Sequence, residues 1–259
     1  MRRQLGIVSA LWRYPVKSMR GEALTSAVIA QNGIAGDRVW APRELKYGGI
    51  MSARTWAPLL ALAARHQARD GVSDDAVVID FPDGTTVGAG EARASELLSR
   101  WLAREVRLER VRTTRPSPEE MEAIARGEMF PPSRDFFDED VMHVVAAGTL
   151  AHLRRIRAGA DFDPRRFRAN LYVETGADAE GFLEDQWLGG VLEIGDEVKL
   201  AGLRPALRCA MITHPQAELP HDPSILRTSW EHHQAYVGIF ASVAAPGTAR
   251  IGDRVVLAA

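Results

Sequence analysis

The stretch VLEIGDEVKLA, residues 191–201, holds two short runs of strand-forming side chains on either side of Gly195-Asp196. A glycine next to an aspartate is typical of a tight turn, and each flanking run has the length of a strand. A similar turn signal, Gly252-Asp253, stands before the last apolar run of the chain. The stretch therefore predicts a β-structure made of short strands that begin at tight turns.

Short strands are predicted through the whole C-terminal part of the chain. They are expected at 170–174, 191–194, 198–201, 207–213, 237–244 and 254–257. Strands of this length and spacing are typical of an antiparallel barrel. Upstream of them, the sequence predicts a buried strand at 141–145 and a helix at 149–157.

The N-terminal part is also rich in predicted strands, with one convincing helix. Strands are expected at 6–14, 23–30, 38–41, 77–81, 85–87 and 106–111. The helix is predicted at 92–103, where apolar residues recur at helical spacing on one face. A proline-rich irregular stretch follows at 113–140 and indicates a boundary or lid. The predicted fold class is mixed α+β and mainly β: an antiparallel barrel domain (112–259) packed against a β-rich N-terminal domain (1–111), with few short helices.

Composition excludes several classes of function. The chain of 259 residues has 32 basic and 34 acidic side chains and a net charge of -2, so no binding of nucleic acid or of anionic membranes is expected. No apolar stretch approaches the length of a membrane helix and no signal peptide is evident, which predicts a cytoplasmic protein. A single cysteine excludes an internal disulfide, zinc held by several thiolates and an iron–sulfur cluster on four cysteines.

Cys209 is the first candidate for chemistry. It lies in LRCAMI, residues 207–212, which is predicted to be a strand, and the neighbouring Arg208 favours an ionised thiolate. A thiolate is a natural ligand for a soft or high-valent transition metal. A lone cysteine is also typical of a small buried apolar position, so both interpretations stay open from the residue alone.

Cationic, hydroxyl and amide side chains form a second group of candidates. The group consists of Lys17, Ser18, Arg38, the three arginines Arg165, Arg166 and Arg168, and Asn170. Side chains of these types hold phosphate groups, arginine through its planar bidentate guanidinium. They come from distant parts of the chain, so the sequence does not show whether they meet. For each one alone, a solvated surface position is the simpler interpretation.

Together, these segments resemble the MOSC family, which is named for the C-terminal domain of molybdenum cofactor sulfurases. The number, order and spacing of the matching pieces make the resemblance specific. The branch that the chain resembles most contains the mitochondrial amidoxime-reducing component and its bacterial relatives. The matching segments are Leu11–Ser18 with Asn32–Arg38, Phe167–Val173, Trp187 with Leu192–Asp196, Arg208–Pro215, Val237–Phe240 and Gly247–Val255.

The resemblance implies a site for the molybdenum cofactor. It assigns Cys209 as the thiolate ligand of a molybdenum that is held by the dithiolene of molybdopterin. The positions that hold the pterin and its phosphate in the family match Lys17, Ser18, Arg38, Arg168 and Asn170, and Arg208 is included with them. Relatives often carry hydroxyl residues in the segment that corresponds to 144–149, where this chain keeps only Thr149. Thr149 is therefore included among the implied cofactor-binding residues.

The implied activity is the two-electron reduction of N-hydroxylated or N-oxide small molecules, with electrons from a separate flavin, haem or iron–sulfur protein. In this activity the cofactor carries the chemistry and the protein positions it. Neither pyridoxal phosphate nor haem is expected as a bound group. Two alternatives stay open: a carrier of cofactor or of sulfur as a persulfide on Cys209, and a specialised biosynthetic enzyme on the same fold. No pyridoxal-phosphate desulfurase domain is evident, which favours the reductase over the carrier.

Overall fold

The computed structural model describes residues 2–67, 76–110, 142–176 and 179–258. Sixteen strands account for most of the regular structure in this part of the chain. They are β1 (Arg2–Arg13), β2 (Glu22–Leu24), β3 (Ser26–Ala30), β4 (Gly33–Ile34), β5 (Trp40–Glu44), β6 (Ala63–His66), β7 (Val77–Asp80), β8 (Thr86–Gly88), β9 (Val106–Arg110), β10 (Met142–Ala146), β11 (Leu171–Thr175), β12 (Val191–Ile194), β13 (Val198–Leu207), β14 (Tyr236–Ala245), β15 (Gly247–Arg250) and β16 (Arg254–Ala258).

Helices are few and short, as the sequence predicted. The described residues form four α-helices and three 3-10 helices. The α-helices are α1 (Ala92–Leu102), α2 (Ala147–Ile156), α3 (Pro164–Phe167) and α4 (Pro223–His233), and the 3-10 helices span Ala57–Ala61, Leu183–Trp187 and Ala210–Thr213. Within the described ranges, no helix combines the length and apolar character needed to cross a membrane.

Seven strands close into a barrel. Their order is β11-β10-β14-β13-β12-β16-β1, and β1 pairs with β11 to complete the ring. Strand β2 lies outside the ring and pairs with residues 11–13 at the end of β1. Every pair in the ring is antiparallel except β10 with β11, which is parallel and joined through α2 and α3. The predicted mainly β fold with a barrel is confirmed, with this one parallel pair as an addition.

The barrel interior is filled by apolar side chains, and β1 reaches it through a bulge. Val8 and Leu11 are both buried although they are three positions apart, which strict alternation would not allow. The pairing with β11 shifts register between Val8 and Ala10, so Ser9 is the extra residue. A β-bulge changes which face the following side chains occupy, and it brings both apolar residues to the interior.

The remaining N-terminal strands surround a second apolar core. A sheet of β6, β7 and β8 and a ribbon of β5 and β9 enclose it together with α1. Helix α1 buries Ala94, Leu98 and Leu102 on one face, as the helical spacing predicted. The helix ends one residue earlier than predicted, at Leu102, because Ala103 adopts the left-handed conformation.

Two predicted strands differ from the structure. The predicted strand at 23–30 is divided at Thr25 into β2, which pairs with β1, and β3, which pairs with β15 and β4. The predicted strand at 207–213 is wrong: β13 ends at Leu207, and the amide of Ile212 donates to the carbonyl of Cys209 to form a 3-10 turn. The predicted boundary at 111/112 and the irregular stretch 113–140 lie outside the described residues.

Candidate functional site

Three of the predicted site residues have an unusual backbone conformation. Ser18, Arg38 and Arg168 have φ angles of 68°, 51° and 55°, in the left-handed region. Few residues other than glycine adopt this conformation, and it recurs where a side chain must be aimed at a ligand. Arg168 adopts it at the end of α3, immediately before β11.

Two arginines pack on one buried tyrosine. The Cζ atom of Arg168 lies 4.2 Å from the centre of the Tyr14 ring, and that of Arg38 lies 5.4 Å from it. Tyr14 is fixed by its main-chain amide, which donates to Asp37 at 2.6 Å, and by its hydroxyl, which donates to the carbonyl of Ala169 at 3.2 Å. Burial raises the pKa of Tyr14, so the ring stays neutral at physiological pH.

Asn170 connects this arginine pair to the barrel. Its side chain is fully buried, and its amide nitrogen donates to Asp37 at 3.1 Å and to the carbonyl of Trp12 at 3.3 Å. Its amide oxygen accepts from the main chain of His143 at 3.2 Å and from Arg38 at 3.4 Å. Asp37 also forms an ion pair with Arg38. All four sites of the Asn170 amide are therefore used to fix the neighbouring groups.

Arg208, directly before Cys209 in the chain, completes a group that we call the arginine cluster. The arginine cluster consists of Arg38, Arg168 and Arg208 with Tyr14, Asp37, Asn170 and His143. The Nη2 atom of Arg208 donates to the carbonyl of Phe167 at 2.8 Å, and its Nη1 lies 3.4 Å from Nε2 of His143. Burial, together with the positive charge of Arg208, lowers the pKa of His143 well below its usual value. Nε2 of His143 also lies 3.3 Å from the carbonyl of Val237, so it donates to that carbonyl or accepts from Arg208 according to which ring nitrogen carries the proton. The Nε atom of Arg208 is buried and has no partner among the described residues.

The cluster holds positive charge that the described residues do not neutralise. Burial lowers the pKa of Arg168 to about 10, and the positive charges of Arg38 and Arg208 contribute to this shift. Burial also lowers the pKa of Arg208. Within the described ranges, neither Arg168 nor Arg208 forms an ion pair with a carboxylate. Buried cations without a counter-ion are costly, so the cluster favours an anionic ligand.

The other predicted residues lie at different distances from this cluster. Lys17 and Ser18 precede Met19, whose carbonyl accepts from Arg168. The Ser18 hydroxyl accepts from the main-chain amide of Ala53 at 3.0 Å. Thr149 is fully buried in α2, and its hydroxyl contacts Gly181, Leu183 and Glu184 rather than the arginines.

Sequence reasoning did not single out Tyr14, Asp37 or His143. Tyr14 and Asp37 each stand within a segment that was quoted for the family resemblance, next to residues that were chosen for their phosphate-binding chemistry. Only the folded chain shows that Tyr14 contacts two guanidiniums, and that Asp37 forms an ion pair with one of them and accepts from the Tyr14 amide. His143 stands in an apolar run, where a buried strand was predicted and no chemical role was assigned.

Cys209 is half-buried, carries a free thiol and begins the 3-10 turn at 210–213. The described residues contain no group of three or more histidine, cysteine, aspartate or glutamate side chains that could hold a metal ion. A metal at Cys209 would therefore take its other ligands from a bound cofactor and not from neighbouring side chains of the described residues.

Two family models match the chain in succession. The MOSC N-terminal beta barrel domain matches residues 5–125, and the MOSC domain matches residues 131–256. The chain is a MOSC-domain protein. No curated protein matches it.

A solved structure shares the fold of this MOSC-domain protein at low sequence identity. The YUAD protein from Bacillus subtilis is similar over 100% of this chain and 98% of its own, with a TM-score of 0.51 and 13% identity. YiiM from Geobacillus stearothermophilus covers 47% of this chain and 56% of its own, with a TM-score of 0.36 and 17% identity. The first similarity shows the fold alone, and the second carries no argument.

MOSC domains are linked to binding of the molybdenum cofactor, and the residues present fit such a group. The unpartnered Nε of Arg208 and the excess of buried positive charge suit an anionic, phosphate-bearing molecule. The thiol next to Arg208 suits a transition metal that brings most of its own ligands.

Proposed function

We propose that this MOSC-domain protein binds the molybdenum cofactor at the arginine cluster, with Cys209 as the thiolate ligand, and reduces N-hydroxylated or N-oxide small molecules. One observation carries the proposal: Arg168 and Arg208 are cations without a carboxylate partner among the described residues, beside the single thiol of the chain. When bound, the cofactor supplies a two-electron redox centre.

The residues of the chain bind and orient in this proposal. Arg168 and Arg208 attract the negatively charged parts of the cofactor, and Arg38 assists them from the other segment that packs on Tyr14. Asn170 holds the Arg38 side chain. The carbonyl of Phe167 accepts from Arg208 and fixes the direction of that guanidinium, which also lies beside the buried ring of His143. Preorganised donors of this kind bind an anion with little reorganisation.

The remaining predicted residues have more limited roles. Lys17 stands half-buried next to the cluster segment, with its main chain bonded to Trp40, and it is proposed to contribute charge to the phosphate. The Ser18 oxygen accepts from Ala53, which leaves its own proton to donate to a ligand. The Thr149 hydroxyl is engaged with the 181–184 segment, so its proposed role is to support the fold beside the site.

The first test is elemental analysis of molybdenum, paired with fluorescence of the oxidised pterin, on protein purified from a host that makes the cofactor. We expect nearly one molybdenum and one pterin per chain. The Cys209→Ser variant should lose the metal and any reductase activity toward an N-hydroxylated compound with an artificial donor. Arg155→Gln is a matched surface control, because Arg155 forms an exposed ion pair with Glu180. Retention of molybdenum in Cys209→Ser would contradict the ligand assignment.

A second candidate function, a carrier of cofactor or sulfur, is favoured by the partial exposure of Cys209. A persulfide that is handed to another protein has to be reached by it, and a half-buried thiol at a turn allows such an approach. Pterin without metal, or a persulfide on Cys209 in mass spectra of the intact protein, would support the carrier. Electron transfer from a separate flavin, haem or iron–sulfur protein belongs only to the reductase proposal.

A further inference from the structure

A cavity of about 120 Å³ lies against the buried tyrosine of the arginine cluster. Its walls come from two parts of the chain: the segment from the end of β1 to Gly21, and the segments around α3 and residues 216–219. Tyr14 and Arg168 are the members of the arginine cluster that line it. Arg20 and Trp12, which have no part in the proposed cofactor site, also face it.

Two arginines of the cavity wall form no ion pair with a carboxylate of the described residues. Arg168 donates to a main-chain carbonyl, and Arg20 donates through Nη2 to the carbonyl of Ala61 at 2.9 Å. The Nε atom of Arg20 is buried without a partner in the described part of the chain. The third arginine in the wall, Arg165, is neutralised by ion pairs of 2.8 Å to Asp163 and 2.7 Å to Glu218. Two guanidiniums therefore remain to attract an anion.

The other walls are flat and apolar. The rings of Trp12 and Tyr14 have centres 6.4 Å apart and planes inclined by 17°, and of the two Trp12 presents the exposed aromatic surface. Gly21 allows the chain to pass this surface closely, since a Cβ atom there would lie 2.6 Å from Cδ1 of Tyr14. Buried Leu219 lines the cavity as well. A cavity of ~150 Å³ in another protein admits benzene, which gives the scale of a single ring.

We propose that this cavity is a binding site for a small organic carboxylate that carries one planar ring. The carboxylate would lie between Arg20 and Arg168, and the ring would stack on the partly exposed Trp12, as aromatic faces favour. Inorganic phosphate satisfies the charge but leaves the aromatic surface without a partner. The site goes beyond the proposed reductase activity. It shares Arg168 with the proposed cofactor site, whereas Arg20, Trp12 and Leu219 lie outside the arginine cluster.

The test is calorimetric titration of the full-length protein with benzoate, benzamide and inorganic phosphate. We expect benzoate to bind at one site per chain, with an affinity at least about tenfold higher than that of the neutral benzamide and of phosphate. Arg20→Gln should lower the benzoate affinity by a similar factor, and Arg20→Lys by less, because the charge is kept. The surface variant Arg155→Gln should bind like the unmodified protein.

A second variant covers the case in which Arg20→Gln does not fold. Trp12→Leu keeps both cations and removes the aromatic surface, so it should also weaken benzoate binding. Equal affinities for benzoate and benzamide, equal affinities for benzoate and phosphate, or unchanged benzoate binding in a folded Arg20→Gln protein would each overturn the proposal. Cys209→Ser separates the two proposals, since it should lose molybdenum and retain benzoate binding, while Arg20→Gln should do the reverse.

Discussion

Replacing Arg168 by methionine should remove function without loss of stability. Burial lowers the pKa of Arg168 to about 10. The difference from an ordinary arginine corresponds to an unfavourable free energy of about 3 kcal/mol for holding the charge in the folded protein. Methionine has a similar volume and no charge, so the variant is relieved of this cost. The substitution also has an unfavourable effect, because the carbonyl of Met19 loses its donor at a cost of about 1–3 kcal/mol. We expect the free energy of unfolding of the cofactor-free protein to be unchanged or higher by up to about 2 kcal/mol.

Arg166 provides the matched control, because it is a fully buried arginine of the same helix with a different environment. Its guanidinium donates to four carbonyls: Asp161 at 3.1 Å, Ile212 at 3.5 Å, His214 at 3.3 Å and Pro220 at 2.8 Å. Arg166→Met leaves these carbonyls without a donor and should lower the free energy of unfolding by about 3 kcal/mol or more.

The assay is urea denaturation of the cofactor-free proteins, followed by molybdenum analysis of the same variants from a cofactor-producing host. Arg168→Met should lower the molybdenum content by at least about tenfold while remaining as stable as the unmodified protein, as expected where stability is given up for a ligand site. If Arg168→Met destabilises the protein as much as Arg166→Met, Arg168 serves the fold and the reasoning from its buried charge is refuted.

Three further predictions concern other positions. Arg168→Ala should lower the molybdenum content more than Arg165→Ala, since Arg165 is already neutralised by two carboxylates; equal contents would contradict this. Gly238→Ala should lower the free energy of unfolding by about 2–4 kcal/mol, because φ is 81° and the new Cβ would lie 2.6 Å from the ring of the buried site histidine. Gly252→Ala, with φ of 89° and open space around it, should cost only about 1 kcal/mol in the same denaturation assay. Burial raises the pKa of Glu184, so its contribution to stability is present below the unfolded pKa and is lost as pH rises through the folded pKa. Between about pH 4 and 7, the free energy of unfolding of Glu184→Gln should therefore increase relative to that of the unmodified protein as pH rises. A constant difference between the two proteins would show that the carboxyl is not held neutral.

Local sequence patterns predicted the elements whose signals are local. The strand at 191–194 and the spacing of the α1 side chains depend on nearby residues, and both were found as predicted. The bulge at Ser9 and the break at Thr25 could not be predicted, because each depends on which strand lies alongside. The error at 207–213 has a similar origin: strand-forming residues continue past Leu207, but the pairing with β14 ends there.

The candidate site was predictable in its chemistry and not in its arrangement. Residue types together with the family resemblance indicated Arg38, Arg168 and Asn170, which the structure brings into one cluster. The spacing of these residues in the chain contains no information about a tyrosine that packs between two arginines. The role of His143 could not be predicted from the sequence either, because it depends on the position of the ring beside Arg208.

The position of β1 in the barrel has a consequence for how the protein is made. This strand, at residues 2–13, pairs on one side with β11 and on the other with β16, at residues 254–258. During synthesis β1 emerges long before residues 254–258, so the amide and carbonyl groups along one of its edges stay unpaired until β16 has been made. Barrel closure is therefore an event of high contact order, expected to be slow. In that interval the unfinished chain is most exposed to aggregation, so its yield in cells should depend on temperature and on chaperones.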